Sequence, residues 1–240
     1  MSLETINFNH FELAKGQRML DLGCGEGRHS ITAWLLAEVQ VIGLDLSKAD
    51  LSTAQTRLQD FDAPTERIHF IQGSAFSLPF PDNSFDRVIC AEVLEHIHAY
   101  HEVLREISRV LKPGGVFAVS VPRAWPEKIC WWLSDEYHEV AGGHVRIFDE
   151  NALHQDIQNV GMQRQRKHWA HSLHSPYWWL RCLFWKDGAE HPMVKAYHRF
   201  LVWDLMQAPR ITRWMDRLLN PVMGKSVVMY YVNKEGKHAG

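Results

Sequence analysis

Cysteine is scarce and unclustered: Cys24, Cys90, Cys130 and Cys182 are widely scattered, with no Cys-x-x-Cys pair and no Cys/His group at zinc spacing. That excludes a zinc module and a disulfide framework, and it suits a reducing compartment. No stretch approaches the roughly 18 consecutive apolar residues of a spanning helix. Residues 1–5 also lack the basic region and apolar core of a secretory leader. Strong charge of one sign is missing too. The formal net charge is −2, with ten Lys and Arg against sixteen Asp and Glu in residues 1–120, and sixteen against twelve in residues 121–240. Such a balance excludes a nucleic-acid binder held mainly by electrostatics. Internal repeats and low-complexity tracts are absent. The expectation is a soluble, cytoplasmic protein, with contact to the inner face of a membrane left open.

What is present is an ordinary folded composition: 240 residues, 46% apolar and 22% charged, enough for one domain over residues 1–240. The first half alternates strand-like and helix-like runs, the pattern of an α/β fold with a parallel sheet. Strands are predicted at 18–22, 39–44, 67–72, 85–90 and 115–121. Arg28 to Glu38 reads as the first crossover helix, and Ser47 as the N-cap of the next, before Leu51, Ala54 and Leu58. Tyr100 to Leu111 places Val103, Leu104, Ile107 and Val110 on one face, and Lys112-Pro113-Gly114-Gly115 is expected to end that helix and turn the chain into the fifth strand. Further on, Asp149 caps a helix that Gly161 ends, followed by strands at 162–169 and 226–232.

Two stretches, 122–147 and 171–224, break the alternation and read as insertions. Nine of the ten tryptophans lie in or beside them, at 125, 131, 132, 169, 178, 179, 185, 203 and 214. In 210–219, Ile211, Trp214, Met215, Leu218 and Leu219 recur at helical spacing, while Arg210, Arg213 and Arg217 form a separate basic stripe. Packing on the protein's own core or on a second subunit, giving a homodimer, is the commonest use of such a helix; an anionic membrane surface is the other outcome.

The segment with most chemistry is Leu20-Asp21-Leu22-Gly23-Cys24-Gly25-Glu26-Gly27, set between a strand and a helix. There unpaired N–H groups point at a ligand, and small residues let the backbone come close. Dinucleotide sites use Gly-x-Gly-x-x-Gly around a pyrophosphate. The spacing here is Gly23-x-Gly25-x-Gly27, with Asp21 just before it, a carboxylate suited to an ammonium rather than a phosphate. Asp45, at the end of the second strand, suits the two hydroxyls of a ribose; turn chemistry with Ser47 is the plainer reading.

Four ordered segments complete the pattern: the glycine loop, Gly43-Leu44-Asp45-Leu46-Ser47, the run from Gly73 through Leu78-Pro79-Phe80-Pro81 to Asp86, and Leu94-Glu95-His96-Ile97 followed by Glu106 to Gly115. In order and spacing they resemble the class I S-adenosylmethionine (SAM)-dependent methyltransferases, in the branch of the ubiquinone and menaquinone biosynthesis enzymes. The likeness covers roughly 15–121 and continues weakly through Gly143 to Phe148. It implies a doubly wound, mostly parallel seven-stranded sheet of order 3-2-1-4-5-7-6, a Rossmann-like methyltransferase fold, with the two insertions forming an aromatic-rich cap over the acceptor.

By the same resemblance, Asp21, Gly23, Cys24 and Gly25 would line the methionine end of SAM, Asp45 and Leu46 its ribose and adenine, and Ser74, Ala75 and Phe76 the adenine edge. Cys90, with Glu92, would floor the site beside the sulfonium. Family members commonly carry Asp where this chain has Ser74, so a hydroxyl or a carbonyl would meet the adenine amino group. Methyl transfer needs chiefly an aligned acceptor and, where necessary, a base. Glu92, His96 and His144 are the candidate catalytic residues, with His138 a weaker one. Glu92, Glu95 and His96 also resemble a Glu-x-x-Glu-His stretch associated with a divalent metal in ubiquinone O-methyltransferases. A solvated helix start explains the same residues, and no metal is expected.

The expected acceptor is a small, apolar or aromatic molecule methylated on O, N or C. Two rivals stay open: a SAM-binding module without catalysis, and a nicotinamide-dependent oxidoreductase.

Overall fold

The computed structural model describes residues 4–62, 64–140 and 142–234; residues 1–3, part of the stretch read for a possible leader, lie outside them. In chain order the elements are α1 (Phe8–Phe11), β1 (Arg18–Leu22), α2 (Arg28–Leu36), β2 (Gln40–Asp45), α3 (Lys48–Gln59), β3 (Ile68–Gln72) and β4 (Phe85–Ala91). They continue with α4 (Tyr100–Val110), β5 (Leu111–Pro122), α5 (Ala124–Leu133), α6 (Glu136–Glu139), α7 (Glu150–Asn159), β6 (Met162–Ala170), α8 (His174–Leu183), α9 (Pro192–Gln207), α10 (Arg210–Met223) and β7 (Ser226–Asn233). Short 3₁₀ turns lie at Leu94–His96 and Gly188–Glu190.

The seven strands form one sheet in the order β3-β2-β1-β4-β5-β7-β6, as the resemblance implies. Strands β1 to β5 run parallel, and β7 enters antiparallel between β5 and β6. Both faces are covered, so the strands read as apolar runs rather than alternating ones. Leu20, Leu22, Val88, Cys90 and Val119 pack with Val103, Leu104 and Ile107 of α4 on one face. Met19, Val41, Ile89 and Ala118 pack with Ile31, Ala33 and Trp34 of α2 on the other. Asp21 alternates with Leu20 and Leu22 and therefore lies on the α2 face, where Ser30 meets it.

Two local expectations are corrected. Lys112 to Gly115 does not separate α4 from the strand: β5 starts at Leu111, and the register shift between Phe85 and Arg87 absorbs these residues as an irregularity inside the sheet. Nor do Glu92, Glu95 and His96 share a helix face. β4 runs to Ala91, Glu92 adopts a left-handed φ of 57°, and only Leu94–His96 turns.

The insertions coincide with the predicted breaks. Residues after Pro122 build α5 and α6, and those between Ala170 and Ser226 build α8, α9 and α10. Of the outcomes expected for α10, packing of its apolar face on the protein's own core is not what the fold shows. It is held by the side bearing buried Thr212, together with Asp216 and Asn220, which bond to Ser172: Ser172 Oγ donates to Asp216 Oδ1 at 2.7 Å, and Ser172 N to Asn220 Oδ1 at 2.9 Å. Arg123 donates to the Pro221 and Val222 carbonyls at its end, at 2.9 and 3.0 Å, where cations suit a helix C-terminus. The apolar side of α10 is left outside.

Candidate active site

The carboxyl ends of β1, β2 and β4 converge on one crevice, the place where open α/β sheets bind ligands. The glycine loop is folded over β2: Gly23 N and Cys24 N both donate to the Leu44 carbonyl, at 2.7 and 3.1 Å. Gly23 has φ 71°, and a Cβ there would strike the Val93 side chain, so any other residue would be strained at this position. Gly25, at φ 51°, faces open space, with no atom within 4 Å of where a Cβ would stand. The backbone is thus presented to a ligand at Gly25 and locked against protein at Gly23.

Asp45 ties the loop to the end of β2. Its Oδ2 accepts from Gly25 N and its Oδ1 from Ser47 N, both at 2.8 Å. The turn bond is present, therefore, together with a link to the glycine loop, and each oxygen keeps a further lone pair. Asp21 is buried beneath the loop and accepts from Ser30 Oγ at 2.7 Å. Burial pushes its carboxyl up to about 6, against the opposing effect of the Ser30 bonds. A carboxylate so desolvated gains most from an incoming cation.

Around the crevice Leu46 and Phe76 leave large apolar side chains exposed, while Ala75 packs on the core. Ser74 Oγ accepts from Phe76 N at 3.3 Å and keeps its own proton for donation. Cys24 is buried, its thiol directed to the Gly25 carbonyl at 3.7 Å. Cys90 is fully enclosed among core residues, and burial raises its thiol pKa well above the usual range. It alternates with Ile89 onto the α4 face, so its thiol is no floor for a ligand; only its main chain reaches the strand end.

Glu92 is not a free base either. Its N donates to the Ser120 carbonyl at 3.0 Å, its Oε1 accepts from Ser120 Oγ at 2.8 Å, and Lys225 Nζ stands 3.8 Å from Oε2. It borders a cavity of about 170 Å³ that Arg28, His171, His174, Trp178 and Lys225 also line. This cavity lies between the glycine-loop helix and the second insertion.

His96 and His144 come together, with ring centroids 4.9 Å apart. His96 Nδ1 lies 3.2 Å from the Gly143 carbonyl, and His144 Nδ1 lies 2.6 Å from Glu127 Oε1. These bonds make Nδ1 the protonated nitrogen of each ring and leave each Nε2 unprotonated in the neutral form. Glu127 is buried and also accepts from Trp131 Nε1 at 3.1 Å and Tyr137 OH at 3.4 Å. Burial pushes its pKa up, yet the His144 bond and charge outweigh that and hold it below the usual value. His138 is stacked on Trp131 at 4.0 Å, away from this pair's bonds.

Glu95 is fully buried with neither carboxylate oxygen bonded; burial, then the Glu92 charge, push its pKa well up. One oxygen of Glu95 and a ring nitrogen of each of His96 and His144 lie within 4.8 Å of one another, the group that a divalent cation would use. His144, not Glu92, is its third member. Tyr137 then joins this corner to the insertions: its ring lies 5.8 Å from His144, 5.8 Å from Trp178 and 6.1 Å from Trp185. Sequence reasoning missed Glu127, Ser120 and Lys225; only the Glu127/Trp131 spacing of four on α5 hinted at a bonded pair.

A doubly wound sheet with a glycine loop, a strand-end carboxylate and no phosphate-type Gly-x-Gly-x-x-Gly defines the class of nucleoside-binding methyltransferase folds. The profile of the methyltransferase domain family matches residues 13–175, and the chain belongs to that family, with S-adenosylmethionine as its cofactor. It is 41% identical over 106 residues to the demethylmenaquinone methyltransferase of Listeria welshimeri, a match covering 43% of this chain and 44% of that protein. To the 27-O-demethylrifamycin SV methyltransferase of Amycolatopsis mediterranei it is 37% identical over 107 residues, covering 45% and 39%. The chain thus spans less than half the length of these curated relatives. Among solved structures, the YcgJ protein of Bacillus subtilis superposes with a TM-score of 0.63 at 24% identity, over 95% of this chain and 96% of that one.

Proposed function

We propose that the chain transfers the methyl group of SAM to an O, N or C atom of a small apolar or aromatic acceptor. The observation that carries the reading is the corner where the His144–Glu127 pair meets Tyr137, Trp178 and Trp185, next to the residues that follow β4. An apolar acceptor would be held there by aromatic faces, with water largely excluded. The demethylmenaquinone and rifamycin enzymes among its relatives act, by name, on acceptors of that kind.

When bound, SAM supplies a methyl group already activated on a sulfonium, so covalent catalysis by the protein is not required. The Gly23 to Gly25 main chain and Asp21 would hold its methionine end, Asp45 the ribose hydroxyls, and Leu46 with Ser74, Ala75 and Phe76 the adenine. Glu92 acts as a positioning residue: bonded to Ser120 and facing Lys225, it orders the chain where β4 ends. His144 is the base where the acceptor must lose a proton. Glu127 holds its Nδ1–H, which directs Nε2 at the acceptor proton and stabilises the imidazolium that forms. His96 stands beside it as a second ring that packs the acceptor. A module that only binds SAM has no use for this pair.

The test is His144→Ala. It should lower kcat by about 100-fold, the usual worth of a general base, with SAM affinity within about twofold of wild type by calorimetry. Unchanged turnover would remove His144 from the chemistry.

A further inference from the structure

Helix α10 exposes an apolar face that its own fold leaves uncovered. Ile211 is 65% exposed, Trp214 63%, Leu218 58%, Val222 63% and Met215 36%. At 3.6 residues per turn these five occupy an arc of about 100°. The arc lies apart from the side that Thr212, Asp216 and Asn220 fix to Ser172 and its neighbours. Leu219, which the sequence pattern placed with the apolar group, turns toward that fixed side and is half-buried.

Beside the arc runs the row of Arg210, Arg213 and Arg217, all exposed, whose side chains make no ion pair or hydrogen bond among the described residues. Charge on the two consecutive helices α9 and α10 is sorted by exposure. Lys195, Arg199, Arg210, Arg213 and Arg217 are exposed; Asp204 is buried, and half-buried Asp216 is engaged with Ser172 and Asn220. Every exposed charged side chain of this helix pair is therefore cationic, in a chain whose net charge is −2. On α9 the exposed Val202, Trp203 and Met206 add apolar surface of the same type.

We propose that α10 is an interfacial anchor that lays its apolar face into an anionic phospholipid surface, with Arg210, Arg213 and Arg217 at headgroup level. An apolar arc carrying Trp, flanked by unpaired arginines, matches the two layers of such a surface, acyl chains and phosphates. A second copy of the chain fits less well, because a symmetric contact through this face would set one arginine row against its twin. Among the described residues no helix is long and apolar enough to cross a membrane, so the contact is one of lying on the surface. The proposal does not depend on what is methylated: it concerns a face held by α10 alone, and it is read without cofactor or acceptor.

The experiment is co-sedimentation of the full chain with phosphatidylcholine vesicles, and with the same vesicles carrying about 30% phosphatidylglycerol. Binding is expected to the anionic vesicles only, weakened at least about tenfold by raising salt from 0.1 to about 0.5 M. Trp214→Ser with Leu218→Ser, and separately Arg213→Glu with Arg217→Glu, should each reduce it by about tenfold or more, while circular dichroism, melting temperature and SAM affinity stay those of wild type. No binding to either vesicle would overturn the proposal. So would binding that both double variants leave intact. A dimer seen by light scattering that Trp214→Ser with Leu218→Ser dissolves, without vesicle binding, would overturn it in favour of a subunit interface.

Discussion

Asp21 and Asp45 sit 24 residues apart in sequence and both border one glycine loop, but their surroundings differ. Asp45 has two backbone N–H donors; Asp21 is desolvated, its carboxyl raised from 3.8 to about 6. Because the folded value is the higher one, the native state keeps a proton on Asp21 that the unfolded chain releases. The stability this contributes is lost as pH rises from about 4 to about 6. Asp21→Asn, which cannot ionise, should therefore be at least as stable as wild type at neutral pH. It should bind SAM about 10- to 100-fold more weakly, the worth of a charge-assisted bond to the ammonium. The same reasoning makes wild-type SAM affinity fall as pH drops through about 6, and calorimetry across pH 5 to 8 reads it. A flat profile, or an Asn variant that melts well below wild type, would contradict the role. At this scale the glycine loop and Asp45 were legible because motif and geometry are both local. Glu127, Ser120 and Lys225 were not: they arrive from α5, β5 and the residue just before β7, and nothing in the spacing of those segments announces that they meet Glu92 and His144.

Among the elements, the strands and crossover helices were legible to within a residue or two except for the start of β5, since buried parallel strands are continuous apolar runs bounded by Gly, Pro and capping residues. The segment after β4 was not. Read as a helix start, it aligned Glu92 with Glu95 and His96; the left-handed φ at Glu92 instead sends its carboxylate to Ser120 and lets His144 come up beside His96. The partner of α10 was not legible for a different reason. Spacing gives the arc of an amphipathic helix but not which arc the protein covers, and here polar bonds from Ser172 and Arg123 hold the helix by its other side. Strand-to-loop geometry also yields a prediction. Gly23→Ala forces a Cβ into the left-handed region against Val93, at a cost of about 1–2 kcal/mol before any clash. The variant should melt several degrees lower and lose SAM binding. A melt equal to wild type would show that the loop can relax.

At the scale of the molecule, a seven-stranded sheet and its crevice carry two helical insertions. The proposed SAM site lies at the carboxyl ends of β1 and β2 and the proposed acceptor side at α5, α6 and α8, while the tryptophans of the two insertions divide into two populations. Trp178 and Trp185 cluster with Tyr137 beside the His144–Glu127 pair, while Trp132, Trp203 and Trp214 lie on the outside. Under the two proposals, one group would meet an apolar acceptor and the other an anionic lipid surface, on different faces of the same insertions. The most direct test of the whole account is transfer of an isotopically labelled methyl group from SAM by the full chain into an organic extract of cells. The account predicts label in an extractable apolar product, formed by wild type and nearly absent with His144→Ala. Saturable SAM binding with all label retained in SAM, whatever extract is offered, would contradict it.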